Sequence, residues 1–462
     1  MVTTNREIEL KLELAPEDAA AIASVALPFG FEAGKSKTQT LRSIYYDTPD
    51  TALAKARIAA RVRLKGKQWI QTVKLPGDST GSGLHSPREY EVTVSSSQFD
   101  LAAVPDEAAR AEIEAVLADQ PLAPRFETII NRNLRMVKTA DGSSVEVAVD
   151  QGEVVAGALR QPLTELELEL KSGSIAALYA VARQLVGPRP FRFSSLSKAE
   201  RGDRLAKGLP IRADDTPALA EDVTLSASIS AERAYHAILR SCLHQIAQNR
   251  SAILSGLDPE GPHQLRVGLR RLRTALRLFR PIINPRSTGP LDDAAQRLAL
   301  AVGRLRDLDV LAADIVAPLL AAAPARIDLA QLERYLETLR SERREEIAAL
   351  LASQTFNDFL FDLATYTETR GWNCSGRHQP ERKARRSGDR LLRCGAGRPV
   401  APAAKIRQPS VEPDDPRTAR HAQGTEEIPL WPRVLRRSFA EDRTAGLSQT
   451  PEVLAGCVRL SQ

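Results

Sequence analysis

Glu7-Ile8-Glu9-Leu10-Lys11-Leu12-Glu13-Leu14 alternates charged and aliphatic side chains without a break. In an extended chain successive side chains point to opposite faces, so Glu7, Glu9, Lys11 and Glu13 share one face and the aliphatic residues share the other. One such strand reads most simply as a surface strand with its charges in water. The design returns, however, at Thr164-Glu165-Leu166-Glu167-Leu168-Glu169-Leu170-Lys171, and Arg88-Glu89-Tyr90-Glu91 adds a third acidic strand. Basic strands stand against these: Arg61, Arg63 and Lys65 fall on one face, and Lys74 lies on another strand. A geometry that uses all of them is an antiparallel closed β-barrel whose apolar faces point outward against helices and whose charged faces line a central tunnel. At that density acids and bases shift each other's pKa values and repel unless a ligand intervenes. Glu13 and Glu169 are expected near the tunnel mouth, and Lys65 at a solvated strand end.

Period-two alternation recurs from Glu7 to about residue 200, at Gln71 to Lys74 and Val145 to Val149 among others. Helical pieces interrupt it around Pro16 to Val25, Pro105 to Leu117 and Ile175 to Leu185, giving an α+β domain over residues 1–207. Residues 208–226 read as a proline-containing acidic linker. From Ser228 the apolar spacing becomes three and four, through Leu243 to Ile253, Leu265 to Leu278, Leu298 to Leu311 and Leu329 to Leu351, which predicts an all-α bundle over residues 227–370. Beyond residue 371 that periodicity stops, and composition alone reads as a basic disordered tail over residues 371–462.

The 462 residues exceed one ordinary domain, at roughly 150 residues each. The formal charge of +6 is modest, so local segregation of charge matters more than the total. The first ten residues hold no apolar core of a signal peptide, and no stretch approaches the roughly 18 apolar residues of a membrane helix, so a cytoplasmic location without membrane partners is expected. Cys242 stands alone in the first 370 residues, which excludes a disulfide framework or cysteine zinc site there.

Clustered carboxylates are hard oxygen ligands suited to Mg²⁺ or Mn²⁺. Convergent Arg and Lys are the usual partners of phosphate oxygens. A tunnel holding both has the parts for metal-assisted phosphoryl transfer to water.

The ordered series Glu7-x-Glu9-x-Lys11, Ile44-Tyr45-Tyr46-Asp47-Thr48, Arg61-Val62-Arg63, Lys74, Glu89-Tyr90-Glu91, Arg132, Asp150-Gln151-Gly152-Glu153, Glu165-Leu166-Glu167 and Ser195-Leu196-Ser197-Lys198 resembles the CYTH or triphosphate tunnel metalloenzyme family over roughly residues 5 to 207. The resemblance implies that Glu7, Glu9, Glu165 and Glu167, with Asp150, hold metal. It implies that Lys11, Arg61, Arg63, Lys74, Arg132 and Lys198 grip phosphates, and that Glu89 and Glu91 line the tunnel and orient water or the basic residues. Inorganic tripolyphosphate, cleaved to diphosphate and phosphate, is the expected substrate. Thiamine triphosphate, nucleoside triphosphates and cyclisation of ATP rank lower, because no aromatic-rich base pocket is evident.

In the helical half His263, Arg266, Arg270, Arg273 and Arg277 follow one another at offsets of three or four along one helix face, with Leu265, Leu269, Leu272 and Leu276 as the apolar stripe. Few acids at that spacing compensate the arginines, so the face suits a polyanion. His263 lacks a second metal-ligating histidine or cysteine nearby, and a metal site there is rejected. This helix, with Leu305-Arg306-Asp307-Leu308-Asp309-Val310, resembles the CHAD domain, which implies polyphosphate binding. A non-catalytic polyphosphate receptor is the competing expectation; nucleic acid is disfavoured, because the helix lacks interleaved aromatics.

The CHAD pattern calls for a second basic helix near residues 420 to 435, where the chain reads Gly424-Thr-Glu-Glu-Ile-Pro-Leu-Trp431. Shifted by one nucleotide, codons for that stretch permit Ala-Leu-Lys-Lys-Phe-Arg-Tyr. The chain is therefore expected to be out of frame from between about Gly371 and Arg385 onward. Sequencing the source DNA tests this, since codons unable to encode the basic helix would end the idea.

Overall fold

The computed structural model describes residues 7–79, 82–211, 215–226, 229–256, 258–322 and 330–373. The expected out-of-frame segment after residue 373, with its second basic helix, lies outside the described residues.

The first half runs β1 (Glu9–Glu13), α1 (Asp18–Ser24), β2 (Phe31–Ala33), β3 (Lys37–Asp47), α2 (Ala52–Lys55), β4 (Ala59–Lys65), β5 (Gln68–Ser79), β6 (Leu84–Val94), α3 (Glu107–Leu117), β7 (Ala123–Thr139), β8 (Ser144–Ala156), β9 (Leu159–Ser172), α4 (Ile175–Val186), β10 (Arg192–Phe193) and α5 (Lys198–Ala206). Hydrogen bonding follows the order β1-β6-β5-β4-β3-β7-β8-β9, and β9 pairs back onto β1. The eight strands therefore close into an antiparallel barrel, which leaves none of them as a free edge. The short β10 pairs with β1 at Leu12 and Glu13, beyond the part of β1 that pairs with β6.

Outward-facing residues explain the helices. Ile44 and Tyr46 of β3, Ala60 and Val62 of β4, and Val73 and Leu75 of β5 form one buried cluster with Leu53 of α2 and Ala109, Ile113 and Leu117 of α3. Helix α3 starts where the Asp106 side chain accepts the Ala109 N–H at 2.7 Å, and its buried positions recur every four residues as an amphipathic helix requires. Each aliphatic side chain so buried contributes roughly 1.5–3 kcal/mol.

The inward face is charged along only part of its length. Toward one end it carries Leu41, Tyr45, Phe126, Ile130, Val154 and Leu163, and these pack with Leu205 of α5. Helix α5 thus lies against the inward face. It is started by a capping box in which Ser197 Oγ accepts from Glu200 N and the Glu200 carboxylate accepts from Ser197 N. Gly202 makes the seat possible, because a Cβ there would lie 2.0 Å from the Phe126 ring. Lys198 and Arg201 are thereby delivered to the barrel interior.

The second half comprises α6 (Ala231–Ser255), α7 (Glu260–Leu278), α8 (Pro285–Val310), a π-helical turn (Leu311–Val316), α9 (Ala317–Ala322), α10 (Ala330–Leu351) and α11 (Gln354–Glu368). The periodicity placed α6, α7, α8 and α10 correctly, and Leu265, Leu269, Leu272 and Leu276 of α7 are buried as the stripe required. Helix α7 packs on α8, α10 on α8 and α11, and α11 on α4 of the first half. Among the described residues no helix is long and apolar enough to cross a membrane.

Candidate active site in the barrel

Register decides which charges meet. Residues directly paired across antiparallel strands point to the same side. Lys11 pairs with Glu167, Glu165 with Asp150, Asp150 with Arg132, Lys74 with Glu89, Arg63 with Ser43 and Arg61 with Tyr45. The strand-borne residues of the predicted set therefore share the inward face, and with Glu7 and Lys198 they sort into three groups.

The first group surrounds Lys198, from the opening turn of α5. Its ammonium lies 2.8 Å from Asp150 Oδ2 and 2.9 Å from Glu167 Oε1, and also pairs with Glu165. Arg132 grips Asp150 with two parallel bonds, both 2.7 Å, and reaches Glu167 as well. Burial opposes ionisation of these acids, yet Lys198, Lys11 and Arg132 outweigh it and hold Glu167 well below the usual carboxylate range. Asp150 is lowered likewise, burial being overcome by Lys198 and Arg132. Glu165 goes the other way: burial and the charge of Glu167 raise it despite Lys198.

The second group surrounds Lys74, whose Nζ lies 2.6 Å from Glu7 Oε2, 3.0 Å from Glu89 Oε2 and 3.9 Å from Glu9 Oε1. Burial and a hydrogen bond with Glu89 push Glu7 up to about 7. Glu9 is lowered to about 2, because Lys11 and Lys74 outweigh its burial. Lys11 joins the two groups, 2.9 Å from Glu9 and 3.3 Å from Glu167.

The third group is a basic wall on β4. Arg61 Nη2 lies 3.4 Å from Glu89 and 3.8 Å from Glu91, while its Nε is buried without a hydrogen-bond partner. Arg63 donates from Nε to Ser43 Oγ at 2.9 Å and, among the described residues, makes no ion pair. Burial, with repulsion from Arg61 and Arg132, lowers its pKa to about 10. Tyr45, buried beside this wall, is lowered because Arg61, Arg63 and Lys198 outweigh its burial. The tunnel is thus polarised, acid-rich on β8 and β9 and cation-rich on β4.

An ion site can be tested on the donors present. Asp150, Glu165 and Glu167 each offer an oxygen within 4.8 Å of the others, and Glu165 Oε2 is buried with no hydrogen-bond partner. An all-oxygen, anionic set of this kind fits a hard divalent cation. Glu9 adjoins this set through Lys11, which lies 2.9 Å from Glu9 and 3.3 Å from Glu167, and Glu7 meets Glu9 at Lys74.

Residues 5–202 match the CYTH domain and residues 237–423 the CHAD domain. This chain carries a CYTH domain followed by a CHAD domain. Over 202 residues it is 34% identical to the inorganic triphosphatase of Haemophilus influenzae, covering 43% of this chain and 54% of that one, so it spans about half the length of that relative. The CHAD domain structure from the plant Ricinus communis is 30% identical with a TM-score of 0.30, covering 38% of this chain and 57% of that one. A candidate adenylyl cyclase from Hippeastrum, described as having a dominant triphosphatase activity, is 17% identical with a TM-score of 0.28, covering 44% and 96%. The CHAD match continues past residue 370, where the helical periodicity of the sequence ends.

Three residues of the CYTH site escaped the sequence reading as participants. Tyr45 was visible only as part of a motif, and Ser43 carried no signal. Arg201, 1% exposed, donates to Glu13 Oε1 at 2.5 Å and to Ser194 Oγ at 2.8 Å, and its Nε lies 3.8 Å from Glu165 Oε2. Glu13 is therefore buried and paired. The legible signal for Arg201 was the Ser197-x-x-Glu200 capping box, which starts a helix with Lys198 and Arg201 one turn apart. Glu169 pairs with Lys171 at 2.6 Å, and Lys65 is exposed as expected.

In the CHAD domain the basic face of α7 is present but partly compensated. Arg266, Arg270 and Arg277 are exposed and His263 is half-buried. Helix α8 supplies the acids that α7 lacks: Asp292 lies 2.7 Å from Arg273 and 3.4 Å from Arg277, and Asp307 lies 3.6 Å from Arg266. Compensation comes from the neighbouring helix, which spacing within one helix does not reveal.

Proposed function

We propose that the CYTH barrel is a metal-dependent inorganic triphosphatase that hydrolyses tripolyphosphate to diphosphate and phosphate, and that the CHAD domain binds polyphosphate. The observation that carries the reading is Arg63, a cation on the inward face with no contact ion pair among the described residues, sharing that face with the acid cluster of Asp150, Glu165 and Glu167. With no contact ion pair of its own, its guanidinium is open to the oxygens of a phosphate.

Mg²⁺ or Mn²⁺ held by Asp150, Glu165 and Glu167 would neutralise phosphate charge and polarise the phosphoryl group. The chain's own residues supply the rest. Asp150 and Glu167 neutralise Lys198 and Arg132, and both basic groups would be free to bind phosphate oxygens if a cation took over these carboxylates. Arg61 and Arg63 present planar forks suited to two oxygens of one phosphate. Glu89, between Lys74 and Arg61, fixes both basic groups relative to each other. Lys11 and Lys74 complete the ring of donors along the chain of the substrate.

An inorganic chain is favoured over a nucleotide by the aromatic on the inward face. Tyr45 is 4% exposed and already stacked on Phe126 at 4.7 Å between centroids, so it offers no free ring to a base. The test is phosphate release from tripolyphosphate, longer polyphosphate, ATP and thiamine triphosphate with Mg²⁺ or Mn²⁺, in wild type, Glu7→Ala and Lys198→Ala. Tripolyphosphate is expected to turn over fastest and both variants to lose activity; equal rates in wild type and variants would refute the reading.

A further inference from the structure

The strand that carries Lys11 is held from both sides by segments that the CHAD helices grip. The Lys11 N–H donates to Gly83 O, and the Lys11 carbonyl accepts from Ser194 N, both at 2.9 Å. Ser194 also accepts at Oγ from Arg201, and Lys198 follows it within one turn of chain. The position of this seam therefore sets where Lys11 and Lys198 enter the tunnel.

Helix α11 touches both holding segments along its length. Near its start Asn357 Nδ2 donates to Gly187 O and Arg189 O, each at 2.8 Å, while its Oδ1 accepts from Arg250 Nη2 at 2.6 Å. At mid-helix Phe361 stacks on Phe191 at 4.6 Å and meets Phe193 edge-on at 6.3 Å. At its end Glu368 accepts from Ser82 Oγ at 2.8 Å and pairs with Arg240 at 2.6 Å. Arg250 of α6 adds a bond to Phe191 O at 3.2 Å and lies between the rings of Phe191 and Phe356. Asn357 is 1% exposed and the Glu368 side chain 2%. Polar groups this deeply buried cost stability unless their partners are fixed, so the joint has one geometry rather than a sliding surface.

We infer that α11 is a positioning element of the tunnel site, with Asn357 and Glu368 as positioning residues that set Lys11 and Lys198, so that the CHAD helices are a working part of the CYTH catalytic unit. The inference rests on the tunnel chemistry proposed above and adds to it the element that aligns the two lysines. Neither Asn357 nor Glu368 touches the substrate; each acts through the backbone of a segment that flanks Lys11.

The test compares full-length Asn357→Ala and Glu368→Ala with Arg340→Ala, which breaks the half-buried Arg340–Asp309 pair of 2.9 Å between α10 and α8, away from the seam. All are assayed at a temperature where circular dichroism shows each fully folded. Asn357→Ala and Glu368→Ala are expected to lower kcat for tripolyphosphate by about tenfold or more, since small misplacements of positioned groups carry costs of this size. Arg340→Ala is expected to leave kcat unchanged, and Glu368→Gln, which keeps an acceptor for Ser82, to recover most of the loss. Equal kcat in all variants, or an equal loss in Arg340→Ala, overturns the inference. Tripolyphosphate affinity by calorimetry separates the two claims. A wild type that binds without hydrolysing refutes the reaction alone; the inference then stands if Asn357→Ala binds about tenfold more weakly and falls if it binds as wild type.

Discussion

Replacing Arg63 with Met should make the free protein more stable and its ligand binding worse. Arg63 is charged in both folded and unfolded chains at neutral pH, so its lowered proton affinity measures how strongly the fold disfavours the charge. A fall from the ordinary guanidinium value to about 10 corresponds to a penalty on the order of 3 kcal/mol, at about 1.4 kcal/mol per tenfold change in proton affinity. The Ser43 bond of 2.9 Å returns about 1 kcal/mol of this, and Met retains most of the stem volume. Arg63→Met is therefore expected to gain about 1–2 kcal/mol in urea denaturation without ligand. Loss of a charge-assisted bond to phosphate costs roughly 1.5–3 kcal/mol, a tenfold to hundredfold weaker affinity for tripolyphosphate by calorimetry. A variant that is less stable than wild type and binds tripolyphosphate unchanged would show Arg63 to be a structural cation and refute the reasoning.

Gly202→Ala places a methyl 2.0 Å from the Phe126 ring, and overpacking of this kind is expected to cost about 1–3 kcal/mol in denaturation and to lower activity by shifting Lys198. His85, buried with Nε2 2.9 Å from Ser194 O, has its pKa lowered by burial and by Lys11. The unfolded chain then binds the proton first, so stability is fully present above the ordinary histidine value of 6.5 and is lost as pH falls through the folded value; His85→Gln should flatten that acid limb in urea midpoints measured from pH 7.5 to 5. Cys242 is fully buried, and burial raises its thiol to about 11, so mass spectrometry should find it unalkylated in native protein at pH 8 and modified once the chain is unfolded.

Much of the barrel was legible because alternation and charge coincide in it. Once Glu7 to Leu14 and Thr164 to Lys171 are read as strands with acidic inner faces, closure follows from the need to bury the opposite faces and surround the charges. The register was not legible. Nothing local says that Lys11 meets Glu167 while Lys74 meets Glu89, and it is this pairing that decides which acids each lysine neutralises. Arg201 and Asn357 were invisible for a related reason: their partners are distant in sequence, Glu13 for one and the carbonyls of Gly187 and Arg189 for the other. The basic face of α7 was found by spacing, but its neutralisation by Asp292 depends on how α8 packs, a tertiary fact that helical periodicity does not carry.

The most direct test follows tripolyphosphate by phosphorus NMR in the presence of Mg²⁺ or Mn²⁺, with wild type and with Glu165→Gln and Glu167→Gln. Wild type is expected to convert it to equal amounts of diphosphate and phosphate, chelation to stop the reaction, and both variants to fall by at least an order of magnitude, the size of effect expected when a group that binds the reacting charge is lost. Tripolyphosphate left intact by folded wild-type protein with either ion, or hydrolysis unaffected by the two substitutions, would contradict the proposed reaction.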